Sequence, residues 1–182
     1  DHHQPQGTGE GALQLNPCSF GFDGGKDLSA SGTAYFVASS ISREPEHLSM
    51  LGITGALADL QDKNEMRELR GLNARIVNDG EEKGIVKVKE DLIFFGRETR
   101  PVTRALAGTF SFQIPGITGD EAGALKLLDS LQIDIKEHDR NRTISDLKKE
   151  EKERITAGLL QVLVDKGIEL PPDLPFVGKV YT

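Results

Sequence analysis

From Ser29 to Leu60 the chain is built largely of small residues, and this limits its fold more than any other feature. SASGTAYFVASSIS (29–42) reads as a helix whose Gly, Ala and Ser side chains suit close packing, with Gly32 as its weak point. REPEHLSMLGITGALADL (43–60) reads as a second helix. Pro45 stands where a first turn tolerates it, Glu44 and Glu46 favour the positive end, and Leu48, Leu51, Leu57 and Leu60 form an apolar stripe. Gly52 and Gly55 leave room for a break before GALAD. Polarity then rises sharply at Gln61, and QDKNEMRELRGLN (61–73) is expected to continue as a charged helix. The change divides a closely packed unit, residues 1–62, from a charged and helix-rich one, residues 63–176, with residues 177–182 opening a further segment.

Elsewhere the signals are local. ALQLN (12–16) suggests a short strand stopped by Pro17, and SFGFDGGKD (19–27) a loop. After the turn-like NDGEEKG, GIVKVKEDLIFF (84–95) is the best strand. FGRETRPVTRAL reads as a loop entering a short helix. IPGITGDEAGALKLLDSL carries another helix, capped by Thr118 or Gly119, and SDLKKEEKERITAGLLQVLVDKG a long one, capped by Ser145 and ended by Gly167. PPDLP (171–175) is a linker. The expected class is α/β.

The net charge of −7 over 182 residues argues against a broad basic surface for duplex nucleic acid. Its distribution is uneven: −5 over residues 1–60, +1 over 61–119 and −4 over 120–175. Arg97, Arg100 and Arg104 form one basic cluster, opposed locally by Glu98. No apolar run approaches the roughly 20 residues of a membrane span, and no basic-then-apolar leader opens the sequence. The single cysteine, Cys18, forms no internal disulfide and reads as a small packing residue, so a reducing cytoplasm is the expected compartment.

The sequence opens with Asp1-His2-His3. Read from residue types alone, this is a tag remnant, a surface accident or half of a metal site. Adjacent residues of a regular strand face opposite ways, so both histidines could not ligate one ion from a strand. Imidazole and carboxylate together suit divalent transition metals. Asp59, among Gly55, Ala56 and Ala58, is the candidate carboxylate, with a plain helix-end role as the alternative. Arg97 and Arg100 either clamp a phosphate or pair with neighbouring acids on the surface. GTGEG (7–11) and FDGGKD (22–27) lack the lysine and hydroxyl pattern of a phosphate-cradling loop and read as turns. Ser29 and Ser31 read as helix caps rather than nucleophiles.

DHH, followed by NPxxFGxDGxxxxSxSGxAYFxA (16–38), GALADLQD, FGRETRP and IPGITG in that order, resembles the archaeal RecJ-like branch of the DHH phosphoesterases over nearly the whole chain. The resemblance implies a partial DHH domain, a parallel sheet flanked by helices, followed by a mainly helical insertion with a short β segment. It implies that His2 and Asp59 ligate a catalytic Mn²⁺ of a two-metal site, with Mg²⁺ as a substitute. His3 would contact the scissile phosphate, and Asp1 would orient the histidines. The family's aspartate motifs, which should precede DHH, and its C-terminal substrate domain are not in these 182 residues. The chain is therefore expected to be an internal piece of a longer enzyme, inactive alone.

The implied activity is Mn²⁺-dependent hydrolysis of single-stranded DNA or RNA from an end, in replication or repair, with Arg97 and Arg100 as phosphate contacts. Inserted helices in this family are associated with replisome partners such as GINS. Two rivals stand beside it: a phosphoesterase acting on cyclic dinucleotides, nanoRNA or pyrophosphate, and a non-catalytic replisome scaffold.

Overall fold

The structure, a computed structural model, describes residues 2–6, 11, 13–64, 67–169 and 174–182. The chain divides into two compact units, Asp1–Lys89 with Lys179–Thr182, and Glu90–Gly178. The compositional break at Gln61 falls inside the first of them. Residues 63–89, although charged, supply Leu69, Ile76, Val77 and Val86 to the first unit's core. Among the described residues, no helix is long and apolar enough to cross a membrane.

In the first unit a single 3-10 turn (Pro17–Phe20) precedes α1 (Ala30–Ile41) and α2 (Ser49–Ala58). The Ser29 hydroxyl accepts from Gly32 N at 3.0 Å, which makes it the N-cap of α1. A second 3-10 turn, Pro45–Leu48, leads into α2. The two helices pack closely because Gly55 offers no side chain: a Cβ there would lie 1.9 Å from Ser31 Oγ and 2.6 Å from its Cβ. Tyr35, buried on α1, donates its hydroxyl to Asp79 Oδ2 at 2.9 Å. Burial first, and then the Asp79 carboxylate, push that phenol up to about 12.

Two expectations fail in this unit. Leu13–Asn16 form no strand, and Leu13 and Leu15 stand exposed; Ala12, the first residue of the expected strand, lies outside the described residues. The charged helix expected over 61–73 lies further on, as α3 (Gly71–Glu82), and takes in most of the segment read as a turn. The reason is burial. Asn73, Ile76, Val77 and Gly80 recur at helical spacing and face the core, whereas residues 59–62 are spent on a turn. That turn is tight enough to put Leu60 at φ 58, in the left-handed region.

The second unit holds α4 (Val102–Ala107), α5 (Glu121–Ser130) and α6 (Lys149–Asp165) around Phe94, Leu106, Leu128, Ile144, Ile155, Leu159 and Phe176. A two-residue hairpin, β2 (Lys136–Glu137) and β3 (Arg140–Asn141), lies between α5 and α6. Two caps differ from expectation. Asp120, not Thr118 or Gly119, caps α5 by accepting from Gly123 N at 2.9 Å, because Thr118 Oγ1 is taken by Ile114 N. At α6 the N-cap is Lys148 rather than Ser145. Its amide donates to Glu151 Oε2 at 2.7 Å, while the Ser145 hydroxyl pairs with Thr143.

The longest strands, β1 (Val88–Leu92) and β4 (Val177–Tyr181), pair in a two-stranded sheet. Lys87 and Thr182 exchange both backbone bonds, at 2.7 and 2.9 Å, and Ile93 N donates to Phe176 O at 3.0 Å. This register is antiparallel, as is that of the hairpin. The described residues thus form a mixed α and β fold without the parallel sheet expected of a DHH domain. Both pairs join strands that return on themselves, and no strand forms in residues 13–62 to build a parallel order.

A buried carboxylate organises the second unit. Asp91 Oδ2 accepts from Lys152 Nζ at 2.7 Å and Arg97 Nη2 at 2.8 Å, and its Oδ1 from Leu92 N at 2.8 Å. Burial raises its pKa, but Lys152, the Leu92 amide and Arg97 outweigh this and hold it below the usual carboxylate range. The Arg142 hydrogen bonds hold Glu151 low in the same way, and Asp146 falls to about 2 through the Thr143 amide and Arg140.

Two outcomes are expected. Gly55→Ala should destabilise the first unit by about 1–3 kcal/mol in chemical denaturation, and Ser31→Gly should recover part of the loss. The lowered carboxylates contribute stability that is complete above about pH 4 and lost as pH falls toward about 2. Acid titration followed by circular dichroism should show the second unit unfolding in that window. Asp91→Asn, which leaves Lys152 without its acid and Arg97 with Glu98 alone, should cost about 3–5 kcal/mol at neutral pH and flatten the acid dependence.

Candidate functional site

His2 and Asp59, far apart in sequence, meet in the first unit: His2 Nε2 lies 3.5 Å from Asp59 Oδ2. Asp59 sits at the C-cap of α2, its amide bonded to Gly55 O at 2.9 Å. The 6→1 bond from Gln61 N to Ala56 O, with Leu60 left-handed, ends the helix immediately after it. Asp59 is therefore carried by a defined helix end, with its side chain 37% exposed.

Residues 2–6 form no strand, so the alternation that would separate two neighbouring side chains does not apply. The His2 and His3 rings lie with centroids 4.3 Å apart and planes 33° from each other. His2 is largely buried and His3 is exposed. Asp1 lies outside the described residues.

The backbone of these histidines is held from behind. Asn16, 2% exposed, donates Nδ2 to His3 O at 2.8 Å, while its Oδ1 accepts from Cys18 N at 2.9 Å. The Cys18 thiol donates to His2 O at 3.4 Å. Gly24 packs so tightly on the same carbonyl that a Cβ would stand 1.6 Å from the oxygen. Buried Gln61, two residues after Asp59, donates Nε2 to Gly24 O at 2.8 Å and accepts from Asn73 Nδ2 at 2.6 Å. Reasoning from residue types missed Gln61 and Asn73. Both lie in a segment that looks like solvated helix, where they are two of three amides among many charges.

The donor chemistry fits a divalent transition metal as far as it goes. Two ligand atoms bonded at about 2.1 Å to one ion stand roughly 3.0–3.5 Å apart, the separation seen here. His2 Nδ1 is buried with no hydrogen-bond partner among the described residues. Two donors do not enclose an ion, and among the described residues no group of three His, Cys, Asp or Glu is placed to hold one.

The arginines of FGRETRP belong to the second unit. Arg97 is nearly buried and committed to Asp91, Glu98 and Leu92 O. Arg100 remains exposed.

The family-model match falls within the second unit. Residues 94–171, less than half of the chain, match the family model of the DHH-CID domain. An uncharacterised protein of Methanocaldococcus jannaschii is 34% identical over 138 residues, which span 74% of this chain and 30% of the relative's length. The domain match supports a place for the chain among the DHH-family proteins, whose superfamily is one of phosphoesterases.

Proposed function

We propose that the chain is part of a Mn²⁺-dependent phosphodiesterase that shortens single-stranded DNA or RNA from an end. The observation that carries this reading is the meeting of His2 Nε2 and Asp59 Oδ2 at 3.5 Å on a braced backbone. His2 and Asp59 would hold the ion, and the remaining ligands come, on this reading, from residues outside 1–182. The bound ion supplies a water of lowered pKa and offsets charge building on phosphorus.

The chain's own residues have separable tasks. Asn16, Cys18 and Gly24 fix the two histidine carbonyls, so the rings do not have to be ordered when substrate arrives. His3, exposed beside His2, can donate an N–H to a non-bridging phosphate oxygen and stabilise its developing charge. Asp1, outside the described residues, would orient the histidines, as the family resemblance implies. Asp59 also keeps His2 in place when no ion is bound.

The test uses the whole protein with end-labelled single-stranded DNA and RNA, in Mn²⁺ or in chelator. Metal-dependent shortening is expected, reduced about 100-fold or more in His2→Ala and Asp59→Ala, with weaker Mn²⁺ binding by electron paramagnetic resonance. Cleavage that persists in chelator, or in both variants, would overturn the assignment.

A further inference from the structure

Six arginines lie in the second unit, and five have acid or carbonyl partners. Arg97 is taken by Asp91 and Glu98, Arg104 by Glu121 at 3.4 Å, Arg140 by Asp146 at 3.0 Å, Arg142 by Glu151 at 2.6 Å, and Arg154 by Leu131 O at 2.6 Å. Arg100 has no side-chain hydrogen bond or ion pair among the described residues. Its guanidinium lies over the Phe95 ring instead, 4.5 Å from the centroid.

The side chain is nevertheless held in place. Gly96, at φ 75, leaves the space through which the Arg100 stem passes; a Cβ there would come within 2.6 Å of Cγ and Cδ. A Cβ at Gly108 would stand 3.0 Å from Nη1. The turn closes through Arg100 N to Gly96 O at 2.8 Å, and Phe95 N donates to Thr109 Oγ1 at 2.8 Å, tying this turn to the segment that carries Phe110. Phe95 and Phe110 are 61% and 66% exposed.

A guanidinium stacked on a ring keeps its N–H groups directed outward in its own plane, so Arg100 combines fixed position with open donors. The Phe95 ring under it is in water, and so is Phe110, which follows directly on Thr109, the residue bonded to Phe95 N. Glu98, the acid of the same loop, is neutralised by Arg97. A carboxylate peptide would match the cation but offers no flat face to the rings. An unpaired nucleotide strand offers both a phosphate and bases that stack.

We propose that Phe95, Arg100 and Phe110 form a stacking platform for single-stranded nucleic acid, Arg100 binding phosphate and the rings taking bases. This deepens the substrate class of the proposed function and rests on it, but does not need the His2–Asp59 pair.

The test is fluorescence anisotropy with a labelled oligothymidylate of about 15 nucleotides, in chelator so that no strand is cut. Arg100→Gln, Phe95→Leu and Phe110→Leu should each weaken binding about fivefold or more, with Arg43→Gln unchanged. Arg100→Lys, which keeps charge but loses the stacked plane, should fall between, and circular dichroism checks that each variant is folded. Equal binding by all variants, no oligonucleotide binding by the unaltered protein, or equal loss of binding to a polyglutamate peptide would overturn the platform. Cleavage in Mn²⁺ by the same variants separates the two readings. Undiminished binding and cutting by the variants sinks the platform alone, while binding lost in the variants with no cutting by the unaltered protein sinks the phosphodiesterase alone.

Discussion

Two buried amides set the geometry on which the first unit depends. Gln61 and Asn73 bond to each other and, between them, reach the carbonyls of Gly24 and Lys26. Neither group can be left unpaired inside the core without a cost of about 1–3 kcal/mol. Satisfying both brings three pieces of chain together: the end of α2, the start of α3 and the loop before α1. Because Gly24 touches the His2 carbonyl, the same network sets the distance between the histidine backbone and Asp59. Site geometry here follows from side-chain amides that do no chemistry themselves.

The two units solve the burial of charge differently. In the second, Asp91 is deeply buried, and two cations and an amide convert a desolvation penalty into a cross-link between β1, the following turn and α6. In the first, the buried polar side chains Asn16, Ser29, Thr33, Ser49, Gln61 and Asn73 are all neutral, and its ion pairs lie near solvent.

How much of this was legible in the sequence depended on the physics involved. Small residues at close spacing identified α1 and α2, and the Gly55–Ser31 contact explains why substitution there is restricted. Helix caps were legible as hydroxyls or acids near an apolar stripe. Where the cap differs from that pattern, the expected hydroxyl is held by a neighbour in its own loop, as Thr118 is by Ile114 N and Ser145 by Thr143. The α3 register was hidden because its buried face uses Asn73 and Gly80 as well as apolar residues. For the site, residue identity nominated His2, His3 and Asp59, but not the amides that hold them. Nor did it separate Arg97, spent on Asp91, from Arg100, three residues away.

The first unit is discontinuous in the chain, and this has a consequence for how it is made. Leu69 N is bonded to the hydroxyl of Tyr181, 112 residues later, and Lys87 to Thr182. On the ribosome, which extends a chain from its N-terminal side, every residue of the second unit is in place before residues 179–182 exist. The second unit can therefore fold first, while the first waits with Leu69 and Lys87 unbonded to their partners. The last contacts of the first unit to become available are those that residues 179–182 make with Leu69 and Lys87.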